Sequence, residues 1–146
     1  MEVYTIGFTK KGAEQFFGIL RKAGIKRLLD VRLNNSSQLA GFAKKEDLAF
    51  FLKEICGAEY VHEPLLAPTQ EILDDFKKNK GKWSDYEPAF LALMHERKIE
   101  DKIDPQLFKT PTVLLCSEDT PGHCHRRLVL EYLNEKWGNT MNVIHL

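Results

Sequence analysis

Five short segments of strand-forming character alternate along the chain with segments whose apolar residues recur at helical spacing. Alternation of this kind is typical of βαβ units, which build a mainly parallel sheet with helices on both faces. The run Val113–Leu115 is continuously apolar, which predicts a central strand buried on both sides. We therefore expect an α/β fold. The predicted strands are Val3–Ile6, Arg27–Val31, Glu59–His62, Thr112–Cys116 and Asn142–Leu146.

The predicted helices follow from the spacing of apolar residues and from their end signals. The last helix is expected to begin with Thr120 as its N-cap and Pro121 at its first position, and to end near Gly138. The four helices before it are predicted over about Lys11–Lys22, Leu48–Ile55, Gln70–Lys78 and Asp85–Arg97.

The composition is that of an ordinary globular protein. At 146 residues the chain suits a single α/β domain spanning 1–146. Its 21 basic and 21 acidic side chains cancel, so no overall charge attracts it to DNA or to an anionic membrane. No apolar run approaches the roughly 20 residues of a membrane span, and no signal peptide is evident. Three cysteines do not make a disulfide framework, so we expect a cytoplasmic protein.

Polar residues follow the predicted strands at the ends where ligands bind in open parallel sheets. Thr9 follows the first strand, Asp30 and Arg32 lie at the end of the second, and His62 ends the third. Glu118 follows the fourth strand. We expect these side chains to converge at one edge of the sheet. Asp30 and Arg32 are two residues apart and face the same side of a regular strand, so an ion pair between them is the alternative to a catalytic role.

The segment Cys116–Arg127 carries the strongest functional signal. Cys124 lies near the predicted start of the last helix, between two histidines and before Arg126. A helix N-terminus and neighbouring positive charge both lower the pKa of a thiol, which predicts thiolate character at Cys124. Cys116 ends an apolar strand and is expected to be a buried, inert cysteine.

Together these residues predict an enzyme acting on an anionic, phosphate-bearing substrate such as a nucleotide or nucleic acid. Glu118 or Asp30 would be the general acid or base, and Cys124 the nucleophile. One alternative is a non-catalytic module that binds a nucleotide or nucleic acid, and another is a purely structural role for the polar groups. The predicted substrate-binding residues are Arg32, Arg126, His125 and Thr9, aided by the N–H groups of the helix N-terminus.

Cys116, His123, Cys124 and His125 also carry atoms that bind zinc. Their spacing, C-x6-H-C-H, matches no common zinc finger, and adjacent residues on a helix point in different directions, so we expect no metal. A tyrosine-phosphatase loop is excluded because Leu130 stands where its arginine is required. A disulfide between Cys116 and Cys124 is conceivable, although the Cys-x-x-Cys spacing of thiol oxidoreductases is absent. No cofactor and no oligomeric state follow from the sequence.

A basic loop over Lys77–Lys82 is followed by Trp83 and Tyr86. Lysines contact phosphates and aromatic rings stack on bases, so this loop is a second candidate for contact with a nucleotide or nucleic acid. A solvated loop is the competing interpretation. Phe90 and Met94, further along, have the spacing of core residues.

Three motifs of the chain resemble a family. These are Tyr4–Gly7, Asp30–Arg32, and the pattern Cys116-x-Glu118-x-x-Pro121-x-x-Cys124-His125-Arg126. They are similar to the bacterial and archaeal family catalogued as domain of unknown function 488, and the resemblance spans nearly the whole chain. It implies a small α/β fold with a site on these motifs, and it implies no particular reaction. The candidate site residues that match the family are Asp30, Arg32, Glu118, Cys124, His125 and Arg126.

Overall fold

The structure is a computed structural model and describes residues 1–35, 41–118 and 121–146. Among these residues five strands form one sheet: β1 (Glu2–Gly7), β2 (Arg27–Asp30), β3 (Glu59–His62), β4 (Thr112–Cys116) and β5 (Asn142–His145). Their order across the sheet is β3-β2-β4-β1-β5, and every pairing is parallel. The prediction of a parallel α/β sheet is confirmed, and β4 lies at its centre.

The described part of the chain holds six α-helices: α1 (Ala13–Lys22), α2 (Lys45–Phe51), α3 (Gln70–Lys77), α4 (Trp83–Arg97), α5 (Ile99–Lys102) and α6 (His125–Lys136). Helix α2 continues into a π-helical turn, Leu52–Cys56, which ends at Gly57 with φ of 62°. Short 3-10 turns occur at Gly41–Ala43, Pro64–Leu66 and Pro105–Lys109. None of the helices described is both long enough and apolar enough to cross a membrane.

Alternate residues of β4 point into two separate cores, one on each face of the sheet. Leu114 belongs to the core that includes Phe90 of α4 and Leu128 of α6. Val113, its neighbour, belongs to the core that includes Phe16 of α1. All five β4 residues are buried, as expected for a strand covered on both sides. Helices therefore pack on both faces, as predicted.

The start of α6 differs from the prediction, which placed Thr120 as N-cap and Pro121 as the first helical residue. Helix α6 begins at His125, with Cys124 as its N-cap in an extended conformation. The main-chain N–H of Cys124 donates to the Pro121 carbonyl at 3.2 Å, so a turn over these residues precedes the helix. Thr120 itself lies outside the described residues. Cys124 and His125 therefore lie at the very beginning of α6.

Candidate functional site

The strand register brings the predicted residues to one edge of the sheet. Asp30, the last residue of β2, pairs with His62 on β3 and with Leu115 on β4. Cys116, the last residue of β4, pairs with Gly7 at the end of β1. The carboxyl ends of four neighbouring strands thus lie side by side, where open parallel sheets bind ligands.

Asp30 and Arg32 form a buried ion pair. Arg32 Nε donates to Asp30 Oδ1 and Nη2 donates to Oδ2, both at 2.8 Å. The main-chain N–H of Arg32 also donates to Oδ1, and Tyr60 Oη donates to Oδ2 at 2.5 Å. Both charged side chains are almost fully excluded from solvent, at 0% and 3% exposure. A carboxylate with this many donors is held as an anchor, which is the alternative that the sequence analysis gave for Asp30.

Arg32 also has contacts outside the ion pair. Its Nη2 donates to the Ala43 carbonyl at 2.8 Å, and its guanidinium lies 5.4 Å from the centre of the Phe8 ring. His62 Nε2 contacts the Arg32 carbonyl at 2.9 Å. Nη1 is buried and has no hydrogen-bond partner among the described residues. A direct ligand contact by the Arg32 guanidinium would therefore depend on this one nitrogen.

Arg126 is fully buried. Its Nε donates to Thr5 Oγ1 at 3.2 Å, and its Nη1 donates to the main-chain carbonyl of Glu118. The Thr5 hydroxyl also contacts His145 Nδ1 at 2.5 Å. Arg126 thus connects α6 to β1 and to the loop after β4. It does not line the cavity described below, so the structure does not support the predicted cleft shared by Arg32 and Arg126.

Thr9 also anchors the loop that follows β4. Its hydroxyl donates to the Ser117 carbonyl at 2.8 Å, and its main-chain N–H donates to that oxygen at 3.2 Å. Gly7 completes this junction, since a Cβ there would lie 1.5 Å from the Glu118 carbonyl oxygen. The structure therefore places Thr9 in the loop anchor, and it is not among the residues that line the cavity.

A cavity of about 220 Å³ opens beside the end of β4. One side is aromatic: the Trp83 ring stacks on His123 with centroids 5.0 Å apart and on Tyr86 at 4.9 Å. Cys116 and His125 also line the cavity. The aromatic residues that the sequence analysis assigned to a separate basic loop thus lie in the same site as the Cys116–Arg127 segment.

Two charged side chains that line the cavity form an ion pair with each other. Lys77 Nζ lies 2.8 Å from Glu118 Oε1, and each side chain is about half exposed, at 52% and 44%. Exposed pairs of this kind contribute little to stability, roughly 0–1 kcal/mol. Both groups are therefore available to a ligand at small cost, in contrast to the buried Asp30 and Arg126.

A thiol and an imidazole meet at the cavity. His125 Nε2 lies 2.6 Å from the Val31 carbonyl oxygen, which can only accept, so Nε2 carries a hydrogen. The other ring nitrogen, Nδ1, faces Cys116 Sγ at 3.5 Å. Cys116 is held by the central strand and His125 by the first turn of α6, so the contact joins two rigid elements.

The two buried cysteines of the site have opposite pKa shifts. Burial raises the pKa of the Cys116 thiol, but hydrogen bonds from Cys124 and from the main-chain N–H of Ser117 outweigh it, and the net pKa is lowered. The positive charge of Arg126 lowers this pKa further. Burial and the hydrogen bond to Cys116 raise the pKa of Cys124. The pKa of Cys116 is therefore the lower of the two, so Cys116 and not Cys124 is the better candidate for the reactive thiol, which differs from the assignment made from the sequence.

Three atoms suited to bind a metal lie together here. Cys116 Sγ, Cys124 Sγ and a ring nitrogen of His125 are all within 4.8 Å of one another, and all three residues are buried. His123, which the sequence analysis grouped with them, stacks on Trp83 instead. All three cysteines of the chain are free thiols.

The comparisons with known proteins concern the whole chain. No curated protein and no solved structure gives a significant match to it. The family model described as "Domain of unknown function DUF488" matches residues 12–133. This match covers most of the sequence, including β2, β4 and the segment that holds the cavity cysteines, and it agrees with the resemblance of the motifs. The chain therefore belongs to the DUF488 family.

Proposed function

We propose that the protein is an enzyme that acts on a small anionic, phosphate-bearing substrate, such as a nucleotide, bound in the cavity beside Cys116. The observation that carries this proposal is the contact between Cys116 Sγ and His125 Nδ1 at the lining of an open cavity. A thiol with an imidazole partner is the usual arrangement of an activated sulfur nucleophile. Three cysteines that remain free thiols fit a reducing compartment, and we place the enzyme in the cytoplasm.

The roles of the residues follow from their exposure. Cys116 Sγ would attack the phosphorus of the substrate while the bond from phosphorus to the leaving-group oxygen breaks, with His125 as the hydrogen-bond partner of the sulfur. Water would then release phosphate from the sulfur. Glu118, half exposed on the cavity lining, would act as general acid or base towards the leaving group. Lys77 would contact the anion, since Arg126 is committed to main-chain and hydroxyl groups. Cys124 would hold a proton next to the nucleophile.

The size of the cavity favours a small substrate. Pockets for drug-sized ligands are roughly 300–1,000 Å³, whereas this cavity measures about 220 Å³. A phosphate group or part of a mononucleotide suits that volume better than a nucleic-acid strand. The balanced charge of the chain also gives no general attraction to nucleic acid.

The aromatic side of the cavity supports a second candidate, a non-catalytic nucleotide-binding module. Trp83, Tyr86 and His123 form a continuous stack of rings, and bases stack on such surfaces with a contribution of about 1–3 kcal/mol each. The two candidates differ in one respect: an enzyme converts its ligand and needs Cys116, whereas a binding module releases the ligand unchanged.

The test is a thermal-shift screen with inorganic phosphate, pyrophosphate and mononucleotides, since a ligand that binds only the folded state stabilises it. We expect at least one of these anions to raise the melting temperature. Lys77→Ala should abolish this shift. Lys78→Ala should keep it, because Lys78 is exposed and does not line the cavity. Equal shifts in both variants, or none in the wild type, would contradict the proposed site.

Catalysis is tested by incubating each stabilising ligand with the protein and analysing the mixture for products. The enzyme predicts conversion that is lost in Cys116→Ala while the thermal shift remains. A thermal shift with no conversion in the wild type would support the binding module instead.

A further inference from the structure

The separation of two side-chain atoms at the cavity matches the geometry of a tetrahedral metal site. Cys116 Sγ and His125 Nδ1 lie 3.5 Å apart. An ion about 2.3 Å from the sulfur and about 2.1 Å from the nitrogen, the usual zinc distances, would subtend an angle of about 105° at this separation. That angle is close to the tetrahedral value of about 109°. The two atoms therefore already stand at the spacing of two zinc ligands.

A third ligand atom stands beside this pair. Cys124 Sγ lies within 4.8 Å of both Cys116 Sγ and the ring nitrogen of His125. Cys116 ends the central strand, while Cys124 caps α6 and His125 begins it. All three ligand atoms are thus carried by the ends of regular elements, which keeps the set together without a bound ion.

The imidazole of His125 is oriented as in known metal sites. Metal-binding histidines usually donate their other ring N–H to a carboxylate or a main-chain carbonyl, which fixes the tautomer and the ring direction. His125 Nε2 donates to the Val31 carbonyl at 2.6 Å, which leaves the lone pair of Nδ1 facing the two sulfurs.

The cavity supplies access and an open coordination position. Cys116, Cys124 and His125 all line it, so an ion can enter from solvent and a fourth ligand can approach from the cavity. Among the described ranges no fourth cysteine, histidine or carboxylate joins the cluster. Three protein ligands with one open position are typical of zinc sites that also bind water or substrate, whereas purely structural zinc sites are closed.

We infer that Cys116, Cys124 and His125 form a binding site for a thiophilic cation, Zn²⁺ in the first place, whose fourth coordination position opens into the cavity. Two thiolates and one imidazole select such a cation over Mg²⁺ or Ca²⁺. Binding forms two metal–sulfur bonds and one metal–nitrogen bond, and any remaining thiol protons go to solvent. The spacing of these residues along the sequence predicted no metal, because it matches no common zinc finger. Spacing alone does not show that the end of β4 and the N-cap of α6 face each other.

One consequence rests on the proposed function. A sulfur bound to the ion is not available as a nucleophile, so Zn²⁺ would block the reaction that Cys116 performs in the metal-free enzyme. The metal site itself depends only on the three side chains and stands whether or not an anionic substrate exists.

The test uses untagged, reduced protein that has been stripped of metal, titrated anaerobically with Co²⁺. We expect about one Co²⁺ per chain and a sulfur-to-cobalt charge-transfer band, which Zn²⁺ then removes by displacement. Cys124→Ser should weaken binding about 100-fold or more, since even outer-shell changes cost 10–100-fold. Cys56→Ser should leave the band unchanged, because this side chain does not belong to the cluster.

A second measurement covers the case in which Cys124→Ser does not fold. In the wild type, Zn²⁺ should protect Cys116 and Cys124, but not Cys56, from alkylation read by mass spectrometry. Absence of the band in the wild type, an unchanged Co²⁺ affinity of folded Cys124→Ser, or no protection of the two cysteines would each overturn the inference. The anion screen is run in chelator, so failure of the metal site and failure of the proposed function give separate results.

Discussion

Cys116 and Cys124 differ in their partners, although both side chains are almost fully buried. Cys116 receives hydrogen bonds from Cys124 and from main-chain N–H groups, and it contacts His125. From the sequence, Cys124 was the better candidate for the thiolate because histidines and an arginine adjoin it. Instead, the hydrogen bonds to Cys116 and the positive charge of Arg126 lower the pKa of Cys116, while burial raises that of Cys124. The His125 ring beside Cys116 is oriented by the Val31 carbonyl, which lies 94 positions away along the chain. Local sequence cannot supply such a contact.

The ion pair of Asp30 and Arg32, by contrast, could be foreseen as one of two alternatives, because its partners are two residues apart. The hydrogen bond from Tyr60 to Asp30 could not be foreseen, because it depends on the pairing of β3 with β2. Burial, followed by the hydrogen bond to Asp30, raises the pKa of the Tyr60 hydroxyl above its ordinary value of 10.0.

A pH prediction follows from Tyr60. Because its pKa is higher in the folded state than in the unfolded state, its contribution to stability is complete below about pH 10 and is lost as the pH rises further. Urea unfolding between about pH 8 and about pH 11 should show a steeper loss of unfolding free energy in the wild type than in Tyr60→Phe. Parallel curves for the two proteins would argue against a half-buried Tyr60 that is held neutral by its contact with Asp30.

At the level of elements, the strands were predicted closely, because short apolar runs between turn residues leave few alternatives. β3 and β4 have the predicted limits, β2 and β5 are one residue shorter at the C-terminal end, and β1 is one residue longer at each end. The errors lie at helix starts. Helix α6 begins four residues later than predicted, since Pro121 belongs to a turn, and α5 was not foreseen. Turns and caps depend on long-range partners such as Arg126, so the sequence signals for them are weaker.

The junction between β1 and the loop after β4 is so tight that it requires glycine at position 7. A Cβ there would lie 1.5 Å from the Glu118 carbonyl oxygen and 2.7 Å from Arg126 Nη1. Gly7→Ala should therefore lower the free energy of unfolding by about 3 kcal/mol or prevent folding. Gly18→Ala is the matched control: this helical position has open space, and alanine should stabilise by about 0.5–1 kcal/mol. Equal effects at both positions, measured by denaturant unfolding, would refute the tight junction.

Alanine substitutions at two adjacent arginines of α6 should have very different effects on the free energy of unfolding. Arg126 is fully buried and hydrogen-bonds to Thr5 and to the Glu118 carbonyl, so Arg126→Ala should cost about 3 kcal/mol or more. Arg127 forms partly exposed ion pairs with Glu131 and Glu87, so Arg127→Ala should cost about 1 kcal/mol or less. The comparison is made by denaturant unfolding of both variants. A mild effect of Arg126→Ala would restore it as a candidate ligand contact.

For the whole molecule, the alternation of strands and helices sufficed to predict a parallel sheet with helices on both faces, and the DUF488 match agrees with the motif resemblance. The rule that ligands bind at the carboxyl ends of the strands also located the cavity. What the sequence did not reveal is that α3 and α4 bring Lys77 and Trp83 to the same cavity as Cys116. Such a meeting of distant segments follows from helix packing, which apolar spacing alone does not determine.

The direct test of Cys116 as the reactive group is partial labelling of metal-free protein with iodoacetate, followed by mass spectrometry of each cysteine. We predict that Cys116 is labelled before Cys124 and Cys56, since burial raises the pKa of both other thiols, and thiolates are the reactive form. His125→Gln should slow labelling of Cys116 and leave Cys56 unchanged. Labelling of Cys124 ahead of Cys116 in the folded protein would contradict the assignment of the thiolate to Cys116 and with it the proposed site.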